Sequence, residues 1–450
     1  MGILVLLAFF GLLLVMIYEN SENRFLVLVV GTILFPTTAL FTKNPSISPQ
    51  HILLYMFLFL EYWKDRRNFN DSLFKNPLSI PIILILFSYT ATAFFNSGIA
   101  SKDMYYGVRD CIDTFGYIMA AYISGKNIDI SSFAKKFFPI VIAICIFGIL
   151  EGLLNANYPY KIINSAFPFY EGLYDLNGDV GLGQSWRTRT CFTTKHPTAF
   201  GTLLMSLFLF YLPQIHQQVI ARSKLLLLLS LLFVCIVVSG SRTALVCTIF
   251  GAAIYIIDRF SILAKIAVFG LIAISFSAIM AFLLANFQQG GQGRGSSLDF
   301  RTQQLIFSVM AIENSPILGN GNKYTANYIL EENDKGEKRA EDSSGQDMGG
   351  LESVVFTLLI DRGAVGLLTY YLLLLWIFCI FFKNKKKYPE TKGGFALIFA
   401  GTAFLTLSGV IGNSSSFLFL FTGVQLGYIK QRQLLEEDGD SPPATEADEP

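Results

Sequence analysis

The chain contains about thirteen apolar stretches, many of them of roughly 17–25 residues, the length that an α-helix needs to cross a bilayer. Because backbone N–H and C=O groups find no water in lipid, each stretch must form a helix that satisfies them internally. Only 15% of the residues are charged, against about 25% in soluble domains. The sequence therefore predicts an all-α polytopic membrane protein with about 12–13 transmembrane helices. The stretches are 2–18, 25–42, 51–63, 77–95, 105–124, 137–156, 196–213, 224–240, 243–257, 262–286, 363–382, 393–412 and 415–430.

Basic residues of the short loops all fall on one side of the predicted membrane, and the positive-inside rule assigns that side to the cytoplasm. They are Lys64 with Arg66 and Arg67, Lys126 with Lys135 and Lys136, Arg222 with Lys224, Arg259 with Lys265, and the lysines of 383–387. This orientation puts two long loops, 157–195 and 287–351, outside. We expect residues 1–430 to form one transmembrane domain. The acidic, proline-containing segment 431–450 is then a disordered cytoplasmic tail.

Composition also excludes several classes of protein. A net charge of +1 excludes a strongly basic nucleic-acid binder, so no nucleic-acid partner is expected. Four of the six cysteines lie inside apolar stretches, and we interpret all six as small packing residues without a disulfide framework. The outer loops carry no carboxylate cluster with convincing ligand spacing, and their one histidine is His196 at the membrane edge. We expect neither a metal nor a cofactor.

Several charged residues lie within or beside the predicted spans. Arg109 and Asp113 are four residues apart, so they share a helix face and can pair, and Glu151 lies near the outer end of its span. These side chains either hold helices together as structural ion pairs or line a water-filled cavity that opens to the outside. Glu61, near the inner interface, is explained by snorkelling.

The segment 352–382 is too long for a single span, and Gly363 divides it. Residues 363–382 form a normal span, so 352–361 is predicted to be a short helix at the outer surface. Such breaks at membrane depth are tolerated where the backbone lines a cavity. Glu352 and Ser353 would cap the N-terminus of this helix.

Four basic residues recur in chain order on the predicted outer side, where an arginine near the end of a span needs a partner or a function. They are Arg187 and Arg189, then Arg242 in Ser239-Gly240-Ser241-Arg242, then Arg301. Further motifs accompany them: His196-Pro197 at a helix start, a Pro- and Gly-containing turn over 315–321, and Asp361-Arg362-Gly363 followed by Gly366.

The order of these motifs resembles the O-antigen ligase and Wzy-type polymerase superfamily of bacterial envelopes. The resemblance covers roughly residues 180–370 by motif and the whole chain by topology. It implies a GT-C-like helical fold and a metal-independent glycosyltransferase. It also implies that Arg242, Arg301 and one of Arg187 or Arg189 bind the pyrophosphate of an undecaprenyl-pyrophosphate-linked glycan.

An acceptor hydroxyl needs a base or an orienting group, and Glu352 and His196 are the candidates. Ligases of the superfamily commonly carry a His-Asn pair at the start of the short helix, whereas this chain has Glu352-Ser353, which is more like the polymerases. We therefore expect polymerisation of lipid-linked repeat units on the outer face of the inner membrane. The expected partners are the lipid-linked donor, an acceptor glycan, the bilayer and a chain-length regulator.

Two main alternatives stay open, and transfer of the oligosaccharide to protein and a structural or scaffolding membrane protein remain as further ones. One is an O-antigen ligase that transfers the lipid-linked glycan to lipid A core. The other is a non-enzymatic transporter of lipid-linked glycan, although the inverted repeats with broken helices typical of transporters are not evident here. A histidine that precedes proline at a helix start, as His196 does, is also often purely structural.

Overall fold

The computed structural model describes most of the chain outside the two long loops. The described residues are 1–37, 39–42, 47–97, 101–167, 189–194, 196–217, 220–257, 308–321, 324–325, 353–408 and 413–437. Of the predicted site residues, Arg187, Arg301 and Glu352 lie outside these ranges, as does the predicted span 262–286.

The described residues form an all-α protein, which confirms the predicted fold class; β-pairing within them is limited to an isolated bridge between Thr42 and Ile47. The helices are α1 (Gly2–Tyr18), α2 (Ser21–Leu34), α3 (Pro49–Lys64), α4 (Arg66–Phe74), α5 (Ser79–Ser97), α6 (Ser101–Gly125), α7 (Ile130–Leu154), α8 (Tyr158–Asn164), α9 (Pro197–Tyr211), α10 (Gln214–Gln217), α11 (Arg222–Ser239), α12 (Arg242–Ile257), α13 (Val354–Asn384), α14 (Lys392–Ser408) and α15 (Asn413–Glu437).

Three helices of the described part, α7, α11 and α13, are long and apolar enough to cross a membrane. A fourth span is present if α4 and the residues up to Phe95 of α5, which meet at a bend of 77°, are counted together. Shorter apolar helices are α1, α9 and the part of α12 that ends at Ile256. The chain is thus a multi-pass membrane protein, and the larger number of 12–13 spans stays a prediction.

The centre of the bundle is a close contact between α6 and α15. A Cβ atom at Gly427 would lie 2.4 Å from the carbonyl oxygen of Tyr122, and one at Gly125 would lie 2.3 Å from that of Val424. Small residues at such a contact let two backbones approach, as is common between helices in membranes. Around this pair, α9, α14 and the part of α13 that follows Gly363 complete a core rich in phenylalanine.

We call the end of the bundle that the sequence predicts to face the cytoplasm the inner end, and it contains a buried ion pair. Arg24 of α2 is 0% exposed, and its Nη1 lies 2.5 Å from Oε1 of Glu61 in α3. Its other nitrogens donate to the carbonyl oxygens of Met16 and Glu19, each at 2.9 Å, and so satisfy the C-terminal end of α1. The interpretation of Glu61 as a snorkelling side chain is therefore wrong, because its carboxylate faces a buried guanidinium.

The boundary predicted for the C-terminal tail needs a correction. Helix α15 continues to Glu437, seven residues into the segment 431–450 that the composition marks as disordered. The carboxylate of Glu436 accepts hydrogen bonds from the Lys387 ammonium and, at 3.0 Å, from the Tyr388 hydroxyl, so it fastens the last turn to the loop after α13. Residues 438–450 lie outside the described ranges.

Candidate functional site

The turn between α11 and α12 presents Arg242 at the start of a helix. Helix α11 ends at Gly240, whose φ of 65° is in the left-handed region that glycine adopts without strain. The hydroxyl of Ser239 donates to the carbonyl oxygen of Ile236 at 2.7 Å and accepts from the Ser241 amide at 3.3 Å, which closes the turn. Helix α12 then begins at Arg242, and this residue is exposed. A helix N-terminus with an exposed guanidinium favours an anion.

Arg189 lies against the same turn. A Cβ atom at Gly240 would be 3.1 Å from Cγ and 3.2 Å from Nε of Arg189, so its side chain crosses the glycine without a gap. The start of α9 reaches the turn from the other side, where a Cβ atom at Gly201 would be 2.7 Å from that of Ser241. The structure therefore brings Arg189 and Arg242, which are far apart in sequence, to one turn of the bundle.

Glu151 binds the backbone of the described segment 189–194, which carries Arg189. Its carboxylate accepts hydrogen bonds from the backbone amides of Cys191 at 2.9 Å and Phe192 at 2.7 Å, and from the Asn157 side chain at 3.0 Å. Glu151 is only 4% exposed. These hydrogen bonds give Glu151 a structural function in this segment, and its predicted cavity-lining function stays a prediction.

Two hydroxyl groups beside the arginines were not identified from the sequence. Thr190 Oγ1 and Ser241 Oγ are buried and have no hydrogen-bond partner within the described part of the chain. A buried hydroxyl without a partner costs free energy, so both groups are sources of polar contacts near Arg189 and Arg242. Ser241 belongs to the motif around Arg242, but the sequence does not indicate that either hydroxyl is buried.

His196 caps helix α9. Its Nδ1 accepts a hydrogen bond from the Thr198 amide at 3.2 Å and also contacts the Thr198 hydroxyl. Pro197 occupies the first turn, where its missing N–H is not needed. These contacts are those of a helix cap, and a function of His196 as a base stays a prediction.

Arg109 and Asp113 form a same-helix pair that also joins two helices. Nε of Arg109 lies 3.4 Å from Oδ2 of Asp113, and Nε2 of His51 in α3 lies 3.4 Å from the same oxygen. The hydroxyl of Tyr55, also in α3, donates to the second oxygen of Asp113. The ion pair expected from the spacing is therefore present, and its connection to α3 ties α6 to its neighbour.

Two further motifs from the sequence meet at Gly363. This residue has φ 64° and ψ −166°, so the helix is broken at the position predicted from the excess length of the segment. Ser353 caps the helix, accepting from the Val355 amide at 3.3 Å, as predicted. The 315–321 turn fits into the break, where the Ala364 amide donates to the carbonyl oxygen of Pro316 at 2.9 Å.

These features define a class: an all-α, multi-pass membrane protein with basic side chains at one interhelical turn. Comparison with known families adds that residues 226–371 match the family described as O-Antigen ligase. The match spans α11, α12 and the start of α13, with Arg242 and Gly363 inside it. It confirms, for these residues, the resemblance to the O-antigen ligase and Wzy-type polymerase superfamily. A search of curated proteins found no match to this chain.

Proposed function

We propose that the protein is a glycosyltransferase that polymerises undecaprenyl-pyrophosphate-linked oligosaccharide repeat units on the outer face of the bacterial inner membrane. Membership of the superfamily supports a lipid-linked glycan as the substrate. The Lys/Arg bias of the short loops supports an outward site and a cytoplasmic C-terminus. A chain-length regulator is proposed as a further partner.

The observation that carries the proposal is the packing of Arg189 against Gly240, two residues before Arg242 at the N-terminus of α12. When the anomeric C–O bond of the donor breaks, negative charge grows on the pyrophosphate leaving group. Guanidinium groups that are already in place stabilise this charge in the transition state, and each good donor contributes about 3 kcal/mol. Arg189, rather than Arg187, is the member of its pair that we assign to this function, and Arg301 is assigned with it from the motif order.

Metal independence is part of the proposal and has the same physical basis. Arginines supply the positive charge that a divalent cation supplies in other phosphate-transferring sites. Among the residues that the structure describes, no three His, Cys, Asp or Glu side chains group closely enough to hold a metal ion. Activity of purified protein in excess chelator tests this part, and restoration by magnesium or manganese of activity lost in chelator would contradict it.

We assign Glu352 as the group that accepts or orients the proton of the incoming sugar hydroxyl. In the sequence, Glu352 directly precedes Ser353, which is the N-cap of α13. His196 is the weaker candidate because its Nδ1 caps α9. A general base needs a free lone pair within hydrogen-bond reach of the reacting proton.

One observation favours a second candidate function, because the matching family is described as O-Antigen ligase. In that case the same arginines would bind the same donor, and the acceptor would be lipid A core. Glu352-Ser353 in place of His-Asn supports the polymerase instead. A transporter of lipid-linked glycan needs no leaving-group stabilisation, so the arginines at the α11–α12 turn support this function least.

Deletion of the gene, followed by gel analysis of surface polysaccharide, separates these functions. Loss of the ladder with retention of a single capped repeat unit is the expected result for a polymerase. Loss of all capped lipid A means a ligase. An unchanged polysaccharide profile would contradict both enzymatic functions. Complementation with the wild-type gene is the control for effects on neighbouring genes.

A further inference from the structure

Two short segments interlock at Gly363, and we define the glycine joint as residues 315–321 together with 360–365. The backbone of α13 turns aside at Gly363, and the 315–321 segment takes over the hydrogen bonds that the helix gives up. The Asn320 and Gly321 amides donate to the carbonyl oxygens of Ile360 and Asp361 at 2.8 and 3.1 Å. In return, the Ala364 and Val365 amides donate to Pro316 and Ile317 at 2.9 and 3.1 Å. Four backbone bonds in two directions make the two segments one unit.

The two glycines of the joint leave no room for a side chain. A Cβ atom at Gly319 would lie 2.3 Å from the amide nitrogen of Arg362, and one at Gly363 would lie 2.3 Å from the carbonyl oxygen of Ile317. Both glycines have positive φ, 73° and 64°, which other residues adopt with strain. The Asn320 side chain adds bonds to Ala311 at 2.8 Å and to Ile360 at 3.1 Å.

Two charged residues anchor the joint to its surroundings. Asp361 is 9% exposed, and its carboxylate accepts from the Thr325 amide at 2.8 Å and from the Thr325 hydroxyl at 2.5 Å. The Arg362 guanidinium lies over the ring of Tyr89 in α5, 3.3 Å from its centroid. The neighbouring Thr92 hydroxyl donates to the Leu318 carbonyl oxygen at 2.8 Å, so α5 holds both halves of the joint.

The joint connects the two chain segments that carry the proposed chemistry. Arg301, assigned to the donor pyrophosphate, precedes the 308–321 segment by a few residues. Glu352, assigned to the acceptor, precedes the half-helix that ends at the joint. Misplacement of a reacting group by about 1 Å can cost 100-fold in rate, so a device that fixes these segments relative to each other affects turnover directly.

We infer that Thr325, Asp361, Arg362, Gly319 and Gly363 are positioning residues that keep the donor-side segment and the acceptor-side half-helix in register. The identity of the positioned groups, Arg301 and Glu352, rests on the proposed function. The mechanical part, that the two segments open and close together, rests on the contacts alone. The strength of the joint then sets the turnover number rather than the affinity for the lipid-linked donor.

The test compares Thr325→Val, which removes the hydroxyl bond to Asp361, and Gly319→Ala, which forces a Cβ into the backbone of Arg362. Gly11→Ala is the matched control, because a Cβ at Gly11 in α1 meets nothing within 4 Å. Glu61→Gln is the stability control, because it weakens a buried ion pair at the inner end. Each variant is purified, and its melting temperature, turnover of lipid-linked repeat unit and KM for that donor are measured.

We expect turnover of Thr325→Val and Gly319→Ala to fall by about 10-fold to 100-fold at nearly unchanged donor KM. Glu61→Gln should keep wild-type turnover per folded molecule, even if its melting temperature falls as far as that of the joint variants. If the joint variants instead relate turnover to melting temperature in the same way as Glu61→Gln, the joint residues are only structural. That result overturns the inference.

Hydrogen exchange tests the joint independently of any glycan activity. In Gly319→Ala, exchange should rise together in peptides covering 315–321 and 360–366, and should stay unchanged in Gly11→Ala. Faster exchange in one segment alone would overturn the inference, since it would mean that the segments open separately. If wild-type protein transfers no glycan while exchange is coupled, the proposed function fails and the joint stands as a mechanical unit.

Discussion

Two arginines of this protein lie at opposite ends of the helical bundle, and their environments differ. Arg24, at the inner end, is 0% exposed and donates to Glu61, Met16 and Glu19 within the fold. Arg242, at the α11–α12 turn, is exposed at the N-terminus of a helix, with Arg189 packed across the adjacent Gly240. A charge near the membrane is therefore no sign of function by itself. What distinguishes the two sites is whether the arginine is buried within the fold or exposed at its surface.

The largest effect is expected at the exposed turn. Arg242→Ala should lower glycan transfer by about 100-fold to 1,000-fold, the cost of removing one donor that stabilises transition-state charge, with normal insertion into the membrane. Arg242→Lys should restore only part of the activity, because an ammonium lacks the bidentate geometry of the guanidinium. Polymer length and transfer rate, at matched expression, are the measurements. Wild-type activity of the alanine variant would contradict the assignment of Arg242 to the donor pyrophosphate.

The enclosed pair should behave in the opposite way. Glu61→Gln leaves the Arg24 guanidinium buried without its counter-charge, and breaking a buried pair costs roughly 3 kcal/mol. We expect a lower melting temperature and lower yield, with unchanged turnover per folded molecule. Thermal denaturation of purified protein and active-fraction measurements check this. A specific loss of turnover at full stability would show that the inner end also participates in the reaction.

A smaller effect is expected at His196. His196→Ala removes the cap of α9 and should cost about 1 kcal/mol of stability, whereas His196→Ser keeps a capping oxygen and should cost less. Neither should change turnover, in contrast to Glu352→Gln, which should lower turnover and leave donor affinity nearly intact. If His196→Ser loses turnover at normal stability, the base function belongs to His196.

The smallest effect is expected at the exposed pair of Lys387 and Glu436. The hydrogen bond from the Lys387 ammonium lowers the pKa of Glu436, so the contact is complete above the ordinary carboxyl value and is lost as pH falls through the lowered one. Protection of residues 431–437 from hydrogen exchange should be constant near neutral pH and fall in acid. Glu436→Gln should remove this pH dependence without a measurable change in melting temperature, as is usual for exposed ion pairs.

Local features of this fold could be predicted, whereas contacts between distant segments could not. The break at Gly363 follows from a segment too long for one span, and the Ser353 cap follows from its position before an apolar helix. The pairing of Arg24 with Glu61, 37 residues apart, was missed because an acidic residue near an interface is satisfied equally well by snorkelling. Composition alone also ends the last helix at residue 430, although it continues to Glu437. The contact that fastens its last turn joins Glu436 to Lys387, 49 residues apart.

The candidate site shows the same division. The motifs identified the arginines and gave their order along the chain, but the packing of Arg189 on Gly240 depends on how α9, α11 and α12 come together. The stacking of Arg362 on Tyr89 was not foreseen either, because no periodicity or spacing links α5 to α13. The buried hydroxyls of Thr190 and Ser241 likewise needed the three-dimensional structure.

Direct binding of undecaprenyl pyrophosphate to purified protein tests the central claim that the exposed turn recognises the donor. Wild-type protein and Glu61→Gln should bind with the same affinity. Arg242→Ala should bind about 10-fold to 100-fold more weakly, the equivalent of the roughly 1.5–3 kcal/mol that a hydrogen bond to a charged group contributes. Equal binding by wild type and Arg242→Ala, with Glu61→Gln weakened instead, would contradict the account.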